Sequence, residues 1–220
     1  MSLPPPYYQD EYVTIYHANC RDVAPNLGKF DLLLTDPPYG LNMAKRMAKQ
    51  SGEKYGDQRI AKTTYKSYEW DSKPPTLETL NSFIFKCDKS IIWGGNYFGL
   101  AASSGWLVWD KLNGTNNFAD CELAWTNLKI PVRKKEHLWN GMLRKNKEPR
   151  WHPTQKPLDI MSWCINLAGN DVETILDPYA GSGTTGRAAK DLGKKAILIE
   201  MEEEYCEMAA KRMDQEVFAL

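Results

Sequence analysis

The sequence predicts an α/β fold, a mixed and mostly parallel sheet with helices on both faces. Two observations predict it. Short apolar or β-branched runs alternate along the chain with segments of helical spacing, the pattern of strand–helix–strand units. Two of the runs stop at sharp punctuation, Asp36-Pro37-Pro38 and a glycine-rich turn after Asp177-Pro178, as strands do where they reach the edge of such a sheet. At 220 residues and 42% hydrophobic, the chain fits one domain, 1–220, with a small insertion and a real core.

The elements follow in order. Residues 12–17 are β-branched and aromatic, a strand. Phe30–Thr35 (FDLLLT) is a short apolar run ended by Asp36-Pro-Pro, a buried parallel strand. Residues 41–75 are polar, rich in Lys, Gly and Ser, and lack apolar periodicity. So long a loop points to function or mobility. Residues 76–86 have helical spacing, 90–93 form a strand closed by Gly94-Gly95, and a short helix starts at Asn96. Strands follow at 106–109 and Cys121–Thr126, an antiparallel pair. A helix spans 157–169, with Pro157 at its start and Gly169 at its end. Strand 174–176, helix 184–192, strand 196–199 and a helix from Glu203 complete the chain. Trp93 and Trp109 read as core.

Several function classes drop out. No run of about 18 apolar residues is present, so no membrane span is expected, and the N-terminus lacks the basic-then-apolar pattern of a secretory signal. The expectation is a cytoplasmic protein. The five cysteines are scattered and never spaced C-x-x-C, so neither a disulfide framework nor a zinc site follows. The three histidines are also dispersed, and no metal is predicted. Lys and Arg number 28, as do Asp and Glu. The local distribution is uneven, however: residues 129–150 hold eight Lys/Arg against two Glu.

Two motifs carry chemistry. In the first, a strand runs into Gly181-x-Gly183-x-x-Gly186, a helix follows, and the next strand ends in Glu200. Glycines let the backbone turn tightly and approach a ligand, while an acid at the next strand tip accepts hydrogen bonds from ribose hydroxyls. The arrangement predicts a nucleoside-type cofactor. Only 20 residues follow Glu200, too few for the second half of a dinucleotide domain, and Asp177 before the turn suits a cationic ligand. S-adenosylmethionine, with an ammonium and a sulfonium, fits better than NAD.

The second motif is Asp36-Pro37-Pro38-Tyr39 at the carboxyl end of the 30–35 strand. Two prolines remove two backbone donors and leave carbonyls and a carboxylate as a rigid acceptor cluster beside an aromatic ring. Such a cluster suits an exocyclic amino group, whose nitrogen is a poor nucleophile until its protons are held. Acceptors aimed at the developing charge supply on the order of 3 kcal/mol per group. Tyr39 offers a stacking face for an extruded base, about 1–3 kcal/mol. These four residues are the predicted catalytic centre.

With both motifs in place, the sequence resembles the DNA amino-methyltransferases, in the circularly permuted order with the catalytic motif ahead of the cofactor motif. TDPPYG at 35–40, HPTQKP at 152–157, DPYAGSGTT at 177–185 and ILIEMEEEY at 197–205 carry the resemblance, which covers most of the chain outside 41–75 and 127–150. It implies a Rossmann-like methyltransferase fold. It also implies that Asp177, Tyr179, Ala180, Gly181, Ser182, Gly183, Thr184 and Thr185 line the cofactor's methionine part, with Thr154 and Lys156 at its carboxylate. Glu200 and Met201 would hold the ribose, and Asn19 and Cys20 would lie near the adenine, although Asn19 stands where that group often has Asp. SIIWGGNYF at 90–98, Trp109-Asp110-Lys111 and Glu122–Trp125 resemble small phage and bacterial members of the group.

The resemblance further implies double-stranded DNA as partner. Residues 112–151 are then a short target-recognition insert, with Lys111, Arg133, Lys134, Lys135, Arg144 and Lys145 as phosphate contacts. The 41–75 loop would close over the flipped base. A homodimer and an accompanying restriction enzyme fit the same group. Adenine N6 is the leading target atom, since cytosine N4 chemistry more often goes with Ser in place of Asp36. Cytosine N4 and RNA adenine remain alternatives. A 5-methylcytosine enzyme is rejected, because no cysteine here follows a proline.

Overall fold

The computed structural model describes residues 2–41, 73–114, 119–139 and 155–215, together with the backbone of two short strands between 54 and 59. Elements are numbered along the chain. Strands are β1 Tyr8–Gln9, β2 Val13–His17, β3 Phe30–Thr35, β4 Lys54–Tyr55, β5 Gln58–Arg59, β6 Cys87–Trp93, β7 Trp106–Asp110, β8 Cys121–Thr126, β9 Arg133–Glu136, β10 Thr174–Asp177 and β11 Lys195–Glu200. Helices are α1 Cys20–Val23, α2 Leu77–Ile84, α3 Leu158–Ala168, α4 Thr184–Asp191 and α5 Glu203–Met213.

Nine strands form one sheet in the order β1-β2-β11-β10-β3-β6-β8-β7-β9. The five from β2 to β6 in that order are parallel, and β8 then enters antiparallel to both β6 and β7. The mixed, mostly parallel sheet is thus as predicted, including the antiparallel β7–β8 pair. Parallel strands bury both faces, and here each strand feeds two cores alternately. Val13, Leu32, Leu34, Ile91, Ile175 and Leu198 meet α3, α4 and α5 on one face, while Leu33, Ile92, Leu176 and Ile199 meet α1 and α2 on the other. Trp93 and Trp109 lie fully inside, edge to face at 6.4 Å, the core role expected of them.

Helix starts follow local chemistry. Thr76 caps α2 by accepting from the Thr79 amide at 3.2 Å, and the Asn19 side chain caps α1 by accepting from the Arg21 amide at 3.0 Å. Two stretches hold more structure than the sequence predicts. Within 41–75 the backbone forms the antiparallel β4–β5 pair; most of that loop lies outside the described residues. In the basic segment, β9 pairs parallel with β7 at the sheet edge. Its sequence, RKKE, has no apolar alternation, and what holds it is the ladder to β7 plus ion pairs from Lys134 and Lys135 to neighbouring carboxylates.

Candidate active site at the carboxyl edge of the sheet

Five parallel strands end at one edge, so their following residues converge there. Asp177 closes β10, and the chain then turns through Pro178 and Ala180, whose amide donates to the Ile199 carbonyl at 3.0 Å. Gly181 and Gly183 take φ of +51° and +77°, and Gly183 leads into α4. Adjacent β11 delivers Glu200. One of its oxygens accepts from the Gly181 amide at 2.8 Å, the other from the Met201 and Glu202 amides at 2.8 and 2.9 Å. Burial still wins and pushes its carboxyl up to about 7. Asp177 is held by the hydroxyls of Thr35 at 2.7 Å and Thr185 at 2.5 Å and by the Tyr179 amide at 3.1 Å, and burial raises it to about 6.

Two sheet positions away from β11, β3 delivers Asp36. Both carboxylate oxygens are engaged: the Tyr39 hydroxyl donates to Oδ1 and the Lys156 ammonium to Oδ2, each at 2.5 Å. Lys156, 5% exposed, also reaches Glu122 on β8 at 3.0 Å, and Glu122 pairs in turn with Lys111. Burial raises the Asp36 carboxyl against the opposing pull of Lys156. Burial alone would lower Lys156, but Asp36 and Glu122 outweigh it and hold it above its ordinary value. Glu122 is held at about 2, because Lys156 and Lys111 outweigh the burial that would raise it. The Tyr39 ring stacks on Tyr97 at 5.0 Å and 22°, with Phe98 edge-on at 6.1 Å.

A single cavity of about 380 Å³ joins the two motifs. From the catalytic side it is lined by Asp36, Pro38 and Lys156. From the glycine turn come Asp177, Tyr179, Ala180, Gly181, Ser182, Thr184 and Thr185, and from β11 Glu200 and Met201. The start of α1 and its cap contribute Cys20 and Asn19, and the chain before α2 contributes Pro74, Pro75 and Thr76. Nearly all the predicted cofactor residues therefore meet in one space. Gly183 lines none of it; its role is the turn. Thr154, Arg144 and Lys145 lie outside the described residues.

Several of the predicted residues also have partners of their own. Lys111 pairs with Glu122, Lys134 with Asp110 and Glu136, and Lys135 with Asp159, so three of the predicted phosphate contacts already face carboxylates; Arg133 is exposed on the edge strand. Cys20 is buried, with its thiol hydrogen-bonded to Tyr179, and Asn19 spends its side-chain oxygen on the α1 cap. The sequence reading gives Glu122 and Tyr97 no role at the site, although both lie in segments that carry the resemblance. The signal for Glu122 was present, a lone acid early in the otherwise apolar run CELAWT.

An acid-lined glycine turn and an acceptor cluster opening on one cavity, at the strand ends of a mixed parallel sheet, define the class: a Rossmann-like methyltransferase fold. Comparison with known proteins agrees. The family model described as DNA methylase, for N6 and N4 enzymes, matches residues 114–211, from before β8 through most of α5. The Type II methyltransferase M2.LlaDCHI of Lactococcus lactis subsp. cremoris is 43% identical over 86 residues, 38% of this chain and 32% of that protein; the match thus spans about a third of that relative's length. M2.MboI, a Type II methyltransferase of Moraxella bovis, is 27% identical over 252 residues, 94% of this chain and 90% of that protein. Among solved structures, the M1.HpyAVI–SAM complex shares the fold with a TM-score of 0.57 at 23% identity, covering 92% of this chain and all of that one. The likeness to the N6/N4 DNA methylase model thus covers residues 114–211, a little under half of the chain.

Proposed function

We propose that this chain transfers a methyl group from S-adenosylmethionine to the N6 amino group of adenine in double-stranded DNA, on a base turned out of the helix. One observation carries the reading: Asp36 shares a cavity of about 380 Å³ with Asp177 and Glu200, within the size of ordinary cofactor sites, about 300–1,000 Å³.

The residues present fit that cofactor. Asp177 and Glu200, neither of them paired to a cation among the described residues, place two carboxyls on the cavity where a ligand's positive charge can meet them. Glu200, anchored by three amides, presents its remaining acceptor capacity to ribose hydroxyls, and an added Cβ at Gly181 meets no protein atom within 4 Å, so the turn leaves room at its tip. When bound, the cofactor supplies an electrophilic methyl carbon. Everything else falls to the protein. Asp36 and the Pro37 carbonyl accept the two amino hydrogens and let the nitrogen's electron pair localise, and Tyr39 supports the base by stacking. The raised carboxyl of Asp36 suits it to hold the proton that the nitrogen gives up.

Asp rather than Ser before the two prolines favours adenine N6 over cytosine N4. Arg133 is the phosphate contact with the best exposure, with Arg144 and Lys145 as further candidates in the 112–151 recognition insert. We further infer one domain over 1–220 in the permuted motif order, with Thr154 beside Lys156 at the cofactor's carboxylate and the 41–75 loop closing over the base. A bacterial or phage-infected cytoplasm is the setting. A homodimer would give a short recognition insert a second source of DNA contacts, and size measurement by light scattering tests it.

The deciding experiment offers purified protein labelled S-adenosylmethionine with unmethylated genomic DNA and, separately, RNA. Label is expected in DNA as N6-methyladenine, and Asp36→Ala is expected to lower kcat by about 10²–10³-fold or more while cofactor binding persists. Label in RNA alone, or an Asp36→Ala enzyme at full rate, overturns the reading.

A further inference from the structure

Both carboxylate oxygens of Asp36 already hold a donor in the arrangement described above, so a substrate amino group has to compete for them. Its Oδ1 is taken by the Tyr39 hydroxyl and its Oδ2 by the Lys156 ammonium, both at 2.5 Å. An ammonium on Oδ2 is the strongest of those competitors, because it carries a full positive charge. Tyr39 is wedged between Tyr97 and Phe98. Lys156 is the group with somewhere to go, since its ammonium already lies 3.0 Å from Glu122. That second carboxylate sits behind it on β8, outside the cofactor cavity, with Lys111 as its outer partner.

Resting on the methyl-transfer reading, we propose that Lys156 is a placeholder for the substrate amino group on Asp36, and that Glu122 is a positioning residue which receives Lys156 when the base enters. A buried ammonium that loses its counter-charge is heavily penalised. With Glu122 present the displaced ammonium gives up one of its two ion pairs and keeps the other, and Lys156 remains at the cavity wall. Without Glu122 the ammonium is left with Asp36 alone, and the base has to break a buried ion pair to bind productively. The low value of Glu122, held by Lys156 and Lys111, keeps it ionised and ready. The groups facing this centre are Tyr39 and Tyr97 beside Asp36, Asp177 across the cavity, and Cys164 of α3 near Lys156.

Glu122→Gln, nearly isosteric, tests the idea in the full chain. The expected result is a fall in kcat of about 10²-fold with cofactor affinity within about twofold of wild type. The acid limb of the kcat profile should also move to lower pH, because Glu122 is one of the charges raising Asp36; a merely structural role is separated by rescue on removing Lys156. Adding Lys156→Met to Glu122→Gln, assayed at saturating cofactor, removes the placeholder and is expected to restore kcat by about tenfold over the single variant. If Glu122→Gln does not fold, Lys111→Gln/Glu122→Gln keeps the local charge balance and carries the same two expectations against Lys111→Gln. A wild-type kcat in the folded variant, or no rescue by Lys156→Met, overturns the placeholder role while leaving methyl transfer intact. Absence of transfer by the unsubstituted protein overturns the function reading instead.

Discussion

Tyr39 owes its position to a missing side chain. Gly94, at φ +67°, lies against its ring, and a Cβ built there falls 2.1 Å from Tyr39 Cε1; at Gly95 a Cβ falls 2.3 Å from Trp125 Cβ. Both glycines end β6 where it passes under the catalytic tetrapeptide. Gly94→Ala is therefore expected to cost about 1–3 kcal/mol from the left-handed backbone and the clash. It should lower kcat by displacing Tyr39, and leave cofactor affinity nearly unchanged because Gly94 does not line the cavity. Equilibrium unfolding with a cofactor titration checks this; unchanged stability and rate would remove the packing account. The motif residues Asp36, Asp177 and Glu200 were legible in the sequence because each interrupts an apolar strand at its end, where an acid has few structural reasons to be. The lone acid at Glu122 was visible too, but its role and that of Tyr97 were not, because they depend on neighbours far along the chain: Lys156 is 34 positions from Glu122, and Tyr39 is 58 from Tyr97.

Among the elements, the glycine turn joins cofactor geometry to helix packing. Gly183 has φ +77°, and an added Cβ would sit 2.7 Å from Ala209 Cβ on α5 and 3.3 Å from Met213 Cε. The turn thus seats α4 against α5 as well as shaping the cavity. Gly183→Ala is expected to destabilise by roughly 1–3 kcal/mol and to weaken cofactor binding by shifting Gly181 and Ser182, both visible in denaturant titrations with and without cofactor. A variant as stable as wild type would show the positive φ to be dispensable. Elements with strong apolar patterning were readable to within a residue or so, β3 and β8 at both ends. The opposite case is β9. Four charged residues carry no strand signal, and this one exists because β7 offers an unpaired edge and carboxylates nearby hold Lys134 and Lys135. In the described part of the basic segment, the same pairing leaves Lys134 and Lys135 against carboxylates.

At the scale of the whole molecule, the site stores electrostatic cost that a cationic ligand would relieve. Glu200 rises from an ordinary 4.5 to about 7 on folding, chiefly by burial. A carboxyl raised in the folded state favours folding below its unfolded value, and that contribution disappears as pH climbs through the folded one. The unliganded protein should therefore lose stability on Glu200's account between pH 4.5 and about 7. A shift of that size corresponds to roughly 3 kcal/mol at the upper limit. Glu200→Gln removes this titration while leaving Asp177 and the buried Lys156 centre unaltered in both proteins. The stability difference between variant and wild type should then be constant below pH 4, grow in the variant's favour across the window, and level off above about 7.5. Unfolding free energies at a series of pH values measure it directly, and a difference flat across the window would show that Glu200 is not buried at this cost. Cofactor binding supplies the complementary arm. A ligand that favours ionised Glu200, through its ribose hydroxyls and its positive charge, must bind wild type more tightly as pH rises from 6 to 8, by about tenfold, while Glu200→Gln binds weakly and without that dependence. An affinity in Glu200→Gln that matches wild type at pH 8 would overturn the ribose-binding role and, with it, the use of a raised carboxyl as the ligand's anchor.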